Sequence, residues 1–232
     1  QIIMNYPGKE LENFDLATIW RKYIYFLIKK YIKGSILEVG AGIGSFTENY
    51  SHLKNSGITL TEVDDGNYST IKDRFKLKNY IFFQSVTREL KNKFNTIMYL
   101  NVLEHIKDDT KEIKDALDKL EINGYLIILV PAHNKLYSKF DKAVGHFKRY
   151  EIEYFQNLNF NNAKVEKIFF LDCMGYFLYY INGIFFKDDV YPSKLKILIW
   201  DKIFTPITFF LDKILNYKFG KNLLCIVKKT KV

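Results

Sequence analysis

Five short apolar runs, separated by polar stretches of helical character, constrain the fold of this 232-residue chain more than any other feature. They are SILEV (35–39), ITLTEV (58–63), YIFFQSV (80–86), TIMYL (96–100) and YLIILV (125–130). Runs this short and this rich in β-branched and aromatic residues read as strands, and residues 45–54, 67–77 and 108–121 read as helices between them. Strand–helix alternation with strands buried on both faces predicts a parallel α/β sheet. Residues 164–171 and 222–228 supply two later strands. Residues 11–33 carry apolar positions at helical spacing and end at Gly34, where glycine commonly stops a helix. Residues 193–217 form a long helical stretch with a wide apolar face, which Pro206 should kink or split. No repeat, low-complexity tract or linker interrupts the chain. The expectation is one domain over 1–232, with a helical cap over 1–34 and a helical insertion over 174–219.

Composition narrows the partners. At 48% hydrophobic the chain has material for a sizeable core, and its formal net charge of +9 favours phosphates, nucleic acid or anionic surfaces. The lysines are scattered, however, with no dense arginine patch of the kind that tracks nucleic acid. The two cysteines, Cys173 and Cys225, form no CxxC and no framework, which suits a reducing compartment. No histidine or cysteine cluster has metal-ligand spacing, so the sequence assigns no metal. The longest uncharged stretch, around 173–186, falls short of the roughly 18 to 20 apolar residues that span a bilayer. The expected location is therefore cytoplasmic.

The loop after the first strand carries the chemistry. It reads ILEVGAGIGSFT over residues 36–47, with Gly40, Gly42 and Gly44 following Glu38. A dinucleotide fingerprint, G-x-G-x-x-G, needs a glycine where this chain has Ser45, and a phosphate loop needs a lysine that is absent between Gly34 and Lys54. What remains is a tight turn whose backbone can approach a ligand closely. Glu38 can order that turn or accept from an ammonium group. Glu62 ends the second run, where a carboxylate can accept both hydroxyls of a ribose; Asp64 and Asp65 are its rivals. A ribose, an amino group and no phosphate point to S-adenosylmethionine.

At these residues the chain resembles the class I S-adenosylmethionine-dependent methyltransferases. E-x-G-x-G-x-G after a first strand, with an acid closing the second, is their pattern, and NVLEHIKDD (101–109) resembles the segment after their fourth strand. VPAHNKLYSKFDKAVGHFKRY (130–150) and WRKY (20–23) resemble a bacterial branch whose genes often lie near glycosyltransferases. The resemblance implies a Rossmann-like sheet of seven strands, six parallel and the last antiparallel, inserted beside the fifth, with helices on both faces. It implies that Glu38, Gly40, Gly42 and Gly44 line the methionine end of the cofactor, that Glu62 takes the ribose, that Val63 also contacts the cofactor, that Ser85 and Val86 flank the adenine, and that Asn101 and Val102 lie near the methionine part and the sulfonium. Where many members carry an aspartate for the adenine amino group, this chain reads QSVTREL.

Residues 132–150 are loop-like and gather His133, Tyr137, Asp141, His146, Arg149 and Tyr150. A loop of this length in a compact domain is usually functional. A hydroxyl nucleophile needs a base, and a histidine that titrates near neutrality suits the task. His146 is the expected base and His133 the runner-up; Arg149 would bind an anionic group of the acceptor and Tyr150 would shape the pocket. Glu104 and His105 are expected to order the loop or the site.

The resulting expectation is methyl transfer to a small-molecule acceptor, a sugar, glycan intermediate or lipid-linked acceptor, releasing S-adenosyl-L-homocysteine. No nucleic acid is expected as partner, since no N-P-P-[YF] stretch follows the fourth strand and no RNA-binding module is appended. An RNA methyltransferase, a non-catalytic cofactor-fold subunit and a nicotinamide oxidoreductase are the competing readings. The apolar face of 193–217 and the basic tail (Lys221, Lys228, Lys229, Lys231) would suit a peripheral contact with the inner membrane face or a lipid carrier, and the chain would act as a monomer or homodimer.

Overall fold

The computed structural model of the protein describes residues 11–53, 57–158, 162–185 and 191–231. The first ten residues of the expected cap, residue 54 of the expected 45–54 helix and residues 186–190 of the expected insertion lie outside them. Seven strands form one sheet: β1 (Ile36–Val39), β2 (Ile58–Thr61), β3 (Tyr80–Phe83), β4 (Phe94–Leu100), β5 (Leu120–Pro131), β6 (Ala163–Leu171) and β7 (Asn222–Lys229), in the order β3-β2-β1-β4-β5-β7-β6. Strands β1 to β5 pair in parallel, and β7 runs antiparallel to both β5 and β6. The sheet is the one expected, with the last strand inserted between the fifth and sixth. The order reverses between β1 and β4, so ligands belong beyond the carboxyl ends of these two strands.

Two cores follow from the two-residue period of the strands. Leu37, Val39, Ile97, Tyr99, Leu126, Ile128, Leu223 and Cys225 face one side, where Ile113, Ala116 and Leu117 of α4 (Asp109–Asp118) cover them. Ile36, Met98, Ile127, Leu129, Leu224 and Ile226 face the other, beneath Tyr23, Ile24 and Ile28 of α2 (Thr18–Ile28) and Ile71 of α3 (Asp65–Arg74). The two edge strands depart from burial on both faces: Ile81 and Phe83 of β3 are exposed, as are Lys164, Glu166 and Lys167 of β6.

Three local expectations are corrected. Residues 11–33 are not one helix: α1 (Leu11–Phe14) stops short and α2 begins at Thr18. Ala17 offers α2 no side-chain cap. Instead Asp201, from a distant helix, accepts from the Ile19 and Trp20 amides at 3.1 and 2.8 Å, while Arg21 binds the Phe14 and Asp15 carbonyls that end α1. Residues 45–54 form only a 3-10 turn at Thr47–Asn49, where the Asn49 amide bonds back to the Phe46 carbonyl and competes with helix continuation. The 132–150 segment is partly helical, with a 3-10 turn at Asn134–Leu136 and α5 (Lys139–Ala143), whose Ser138 and Asp141 form a capping box. It is pinned to the sheet by a bridge between Ala132 and Tyr150. A further short helix, α6 (Ile152–Gln156), follows.

The insertion between β6 and β7 holds α7 (Cys173–Phe185), α8 (Lys194–Ile199) and α9 (Thr205–Ile214). A π-helical turn over Trp200–Phe204 joins the last two, and Pro206 occupies the first turn of α9, where its missing N–H costs nothing. Two buried aspartates fasten this insertion. Asp201 caps α2 as described. Asp212 accepts from the Asp172 and Cys173 amides at the start of α7, at 2.9 and 3.0 Å, and from the Tyr23 hydroxyl at 2.9 Å.

Candidate cofactor and acceptor site

The glycine loop leaves β1 with Gly40, Gly42 and Gly44 at φ +62°, +57° and +81°, a conformation that L side chains rarely adopt. A Cβ on Gly40 would lie 2.9 Å from Val102 Cγ2, and one on Gly44 would lie 2.5 Å from Phe75 Cε2. The first contact joins the glycine loop to the turn after β4. Glu62 stands just past the end of β2 and ties the loop to it. Its Oε2 accepts from the Gly42 amide at 2.7 Å, and its Oε1 accepts from the Val63 and Asp64 amides at 2.9 and 3.0 Å. Burial raises the Glu62 pKa, and those amide bonds oppose the rise.

Glu38 is buried. Its Oε2 accepts from the Thr47 hydroxyl at 2.7 Å and from the Tyr50 hydroxyl at 2.5 Å, so it orders the glycine loop from beneath. Burial pushes its carboxyl up to about 7 against those two bonds. Asp64, the rival for the ribose, instead caps α3 by accepting from the Asn67 amide at 2.8 Å. Asp65 accepts from the Gln84 side chain. Ser85 and Val86 follow β3, and the Ser85 Oγ is buried without a hydrogen-bond partner. Asn101 takes the left-handed conformation, φ +57°, at the carboxyl end of β4, with its amide donating to the Leu129 carbonyl at 2.8 Å. Val102 follows it. The loop therefore offers backbone amides, two carboxylates and an unpaired hydroxyl, with no basic side chain of its own, a set that fits an adenosyl group bearing a cationic sulfur and no phosphate.

A second group of side chains meets beyond the same strand end. Glu104 and His105 lie on a 3-10 turn (Leu103–His105) after β4, and His146 follows α5. The Phe147 amide donates to the Glu104 carbonyl at 2.7 Å, which locks the two segments together. The two imidazole rings meet edge to face at 4.6 Å, and His146 Nε2 stands 3.9 Å from Glu104 Oε1. Glu104 is 1% exposed, and neither of its oxygens has a hydrogen-bond partner. Burial raises its carboxyl to about 7, and burial next to His146 lowers His105 to about 3, so His105 is neutral.

Behind this group stands Asp141, with no exposed surface. Its Oδ1 accepts from His146 Nδ1 at 2.8 Å and from Arg149 Nε at 2.9 Å; its Oδ2 accepts from Arg149 Nη2 at 3.0 Å, from the Tyr179 hydroxyl at 2.9 Å and from the Ser138 amide and hydroxyl at 2.9 Å. Burial alone would raise Asp141, but the His146 hydrogen bond and the Arg149 charge hold it well below the usual carboxylate range. With Nδ1 committed to Asp141, His146 Nε2 is the nitrogen left facing Glu104.

A family model described as a methyltransferase domain matches residues 15–168, well over half of the chain. The protein is a member of that family. Solved structures agree on the fold. An S-adenosylmethionine-dependent methyltransferase from Clostridium acetobutylicum has a TM-score of 0.58 at 14% identity, covering 92% of each chain. Coclaurine N-methyltransferase, bound to N-methylheliamine and SAH, has 0.62 at 13%, covering 91% of this chain and 72% of its own. The N-methyltransferase NodS from Bradyrhizobium japonicum, in complex with SAH, has 0.55 at 12%, covering 90% and 84%. No curated protein sequence matches the chain. The methyltransferase takes S-adenosylmethionine as its cofactor, which supplies an electrophilic methyl group to whatever nucleophile the fold presents.

Against this frame, three of the four expected catalytic residues move to supporting positions. Arg149 is 3% exposed, with its guanidinium spent on Asp141 and stacked on Tyr179 at 4.5 Å, so it holds the site together and does not face an acceptor. Tyr150 is buried and donates to Asp109 at 2.7 Å. His133 has Nε2 3.0 Å from the Gly220 carbonyl and Nδ1 3.3 Å from Glu151, so both ring nitrogens are engaged away from the His146 group. His146 remains as the expected acceptor-side residue. Sequence reasoning missed Asp141 and Tyr179 as its supports, and Thr47 and Tyr50 as the supports of Glu38. The spacing of Asp141 from His146 within one segment was the available signal; nothing marked Tyr179.

Proposed function

We propose that this methyltransferase transfers the methyl group of S-adenosylmethionine to a hydroxyl of a small-molecule acceptor, a sugar or lipid-linked sugar, activated at the Glu104–His105–His146 group. The observation that carries the reading is the close approach of Gly40 to Val102, too tight for a Cβ, with Glu104 and His105 on the turn that follows Val102. Gly40, Gly42, Gly44, Glu62, Val63, Ser85, Val86, Asn101 and Val102 would hold the cofactor, with Glu38 ordering their loop. A nucleophile held roughly 3 Å from the methyl carbon, in line with the breaking bond, is what such a site must provide. The sugar class is supported by the resemblance of residues 130–150 to the glycosyltransferase-associated branch.

Calorimetric titration tests the cofactor half. Wild-type protein is expected to bind S-adenosylmethionine and its demethylated product, with NAD giving no heat. Glu62→Ala removes an anionic acceptor of the Gly42, Val63 and Asp64 amides and should weaken cofactor binding by about 10- to 100-fold, since hydrogen bonds to charged groups contribute about 1.5–3 kcal/mol. Tighter binding of NAD would mean the glycine loop has been misread.

We further propose that the acceptor is met at a membrane surface or on a lipid carrier. No helix among the described residues is long and apolar enough to cross a membrane. Instead Leu195, Ile199, Ile203, Ile207, Phe210 and Ile214 recur at helical spacing through α8, the π turn and α9, and all of them are exposed. Lys194, Lys196, Lys202 and Lys213 lie on the same helices, the arrangement of a helix lying in an anionic interface. Co-sedimentation with anionic vesicles should fall about 100-fold in the variant Ile203→Asp/Phe210→Asp, given about 1.5–3 kcal/mol per buried apolar side chain. Equal retention of variant and wild type would remove the membrane from the reading.

A further inference from the structure

We propose that Glu104, His105 and His146 bind one divalent transition-metal ion. One oxygen of Glu104 and one nitrogen from each imidazole lie within 4.8 Å of one another. An ion about 2.1 Å from each donor in tetrahedral geometry holds its ligands about 3.4 Å from one another, so side-chain rotations that move the donors by about an ångström close the set. Sequence spacing hides this group, because Glu104–His105 and His146 lie on separate turns that the fold brings together.

Three observations point to an ion. The first is Glu104. Its carboxylate is buried, and neither oxygen has a hydrogen-bond partner. A buried polar group without partners is costly, and such groups in folded proteins are normally hydrogen-bonded or coordinate metals. The second is His146. Metal-ligating histidines almost always give their other ring nitrogen to a carboxylate or carbonyl, and His146 Nδ1 is held at 2.8 Å by Asp141, itself anchored by Arg149. The third is access. Both imidazoles are partly exposed while Glu104 is buried, so the group has a closed floor and an open side. Two imidazoles and one carboxylate suit Zn²⁺, Fe²⁺ or Co²⁺ better than Mg²⁺ or Ca²⁺, and three protein ligands leave coordination positions for acceptor oxygens.

This assignment changes the role of His146. A nitrogen that coordinates an ion cannot also take a proton, so the ion replaces the imidazole as activator of the acceptor; that step rests on the function proposed above. The acceptor hydroxyl binds the ion and releases its proton to bulk water. Its oxygen then forms the bond to the methyl carbon as the S–CH₃ bond breaks, and the bonding pair stays on sulfur as S-adenosyl-L-homocysteine leaves.

Co²⁺ is the probe, because its visible absorption reports ligand number and type. Added alone to the full chain without cofactor, Co²⁺ should bind at one equivalent and develop an absorption band. Glu104→Gln, nearly the same in shape, and His146→Ala should each weaken binding more than 10-fold. Asp141→Asn, which keeps the shape of the side chain but removes the charge that holds His146 Nδ1 and Arg149, should weaken it by about 10- to 100-fold. His52→Gln, which changes an exposed histidine outside the group, should leave it intact. Titration of each variant with S-adenosyl-L-homocysteine checks the fold and reads the cofactor half separately. No band in the wild type, or uptake that Glu104→Gln and His146→Ala both keep, overturns the site. Co²⁺ bound as expected, with methyl transfer insensitive to chelation, overturns the ion's part in the reaction.

Discussion

Asp141→Ala is expected to destabilise the protein by about 3–5 kcal/mol and to abolish methyl transfer. Asp141 has no exposed surface, and its carboxylate is the partner of a guanidinium that is itself 3% exposed. Removing it leaves Arg149 charged and buried, with the weak 3.4 Å bond to the Ala132 carbonyl and the Tyr179 ring as what its guanidinium keeps among the described residues. An uncompensated buried charge of this kind costs about 3–5 kcal/mol. The same change frees His146 Nδ1, so the imidazole loses both its orientation and its fixed tautomer. Asp141→Ala/Arg149→Met separates the two effects. Replacing a buried pair by apolar side chains is often close to neutral in stability. The double variant should therefore recover most of the unfolding free energy in urea while remaining inactive. A double variant that stays as unstable as Asp141→Ala would mean that the loss comes from Ser138, Tyr179 and the cap of α5 and not from Arg149.

Glu38→Gln is expected to do the reverse and stabilise the protein at neutral and alkaline pH. Burial holds the Glu38 carboxyl at about 7, against an ordinary value of 4.5. Below the unfolded value both states carry the proton. Between the two values the folded chain keeps a proton that the unfolded chain has released, and stability falls as pH rises. Above about 7 the folded carboxyl is ionised too, and the loss is complete. The gap corresponds to about 3 kcal/mol. Glutamine presents an oxygen to the same Thr47 and Tyr50 hydroxyls without the buried charge. Urea unfolding at pH 5 and pH 8 should show wild-type stability declining with pH and the variant declining about 2.5 kcal/mol less, since part of the gap is already spent at pH 5. Equal slopes would show that Glu38 ionises as freely in the folded chain as in the unfolded one. The native acid is then a cost carried by the loop it orders, in keeping with the strain and buried polarity that functional sites retain.

The pattern of side chains along the chain determined the sheet. The central strands β1, β4, β5 and β7 alternate between the two cores with a period of two, so apolar runs such as YLIILV have one place to go, and five runs joined by helices leave little choice but a parallel α/β fold. The glycine loop was legible for the same local reason: a turn that needs positive φ at three positions must place glycine there. The position of Glu62 at a strand end was legible too, and the structure shows its carboxylate accepting from the Gly42, Val63 and Asp64 amides.

Only the tertiary structure decided what cannot be encoded within a few residues. The start of α2 is capped by Asp201, on the far side of the sequence, so no local signal could mark the break after Phe14. Arg149, a residue type suited to anionic ligands, became a buried structural partner because the fold buries Asp141, eight residues earlier in the same segment, and closes its carboxylate in with donors from Arg149, His146, Ser138 and the distant Tyr179. Glu104 and His105 meet His146 because the turn after β4 and the turn after α5 are locked together beyond the carboxyl end of that strand by the Phe147–Glu104 backbone bond. Hydrophobic period is a local quantity and survives in the sequence; the pairing of buried charges is set by which distant segments pack together, and that is settled only when the chain has folded.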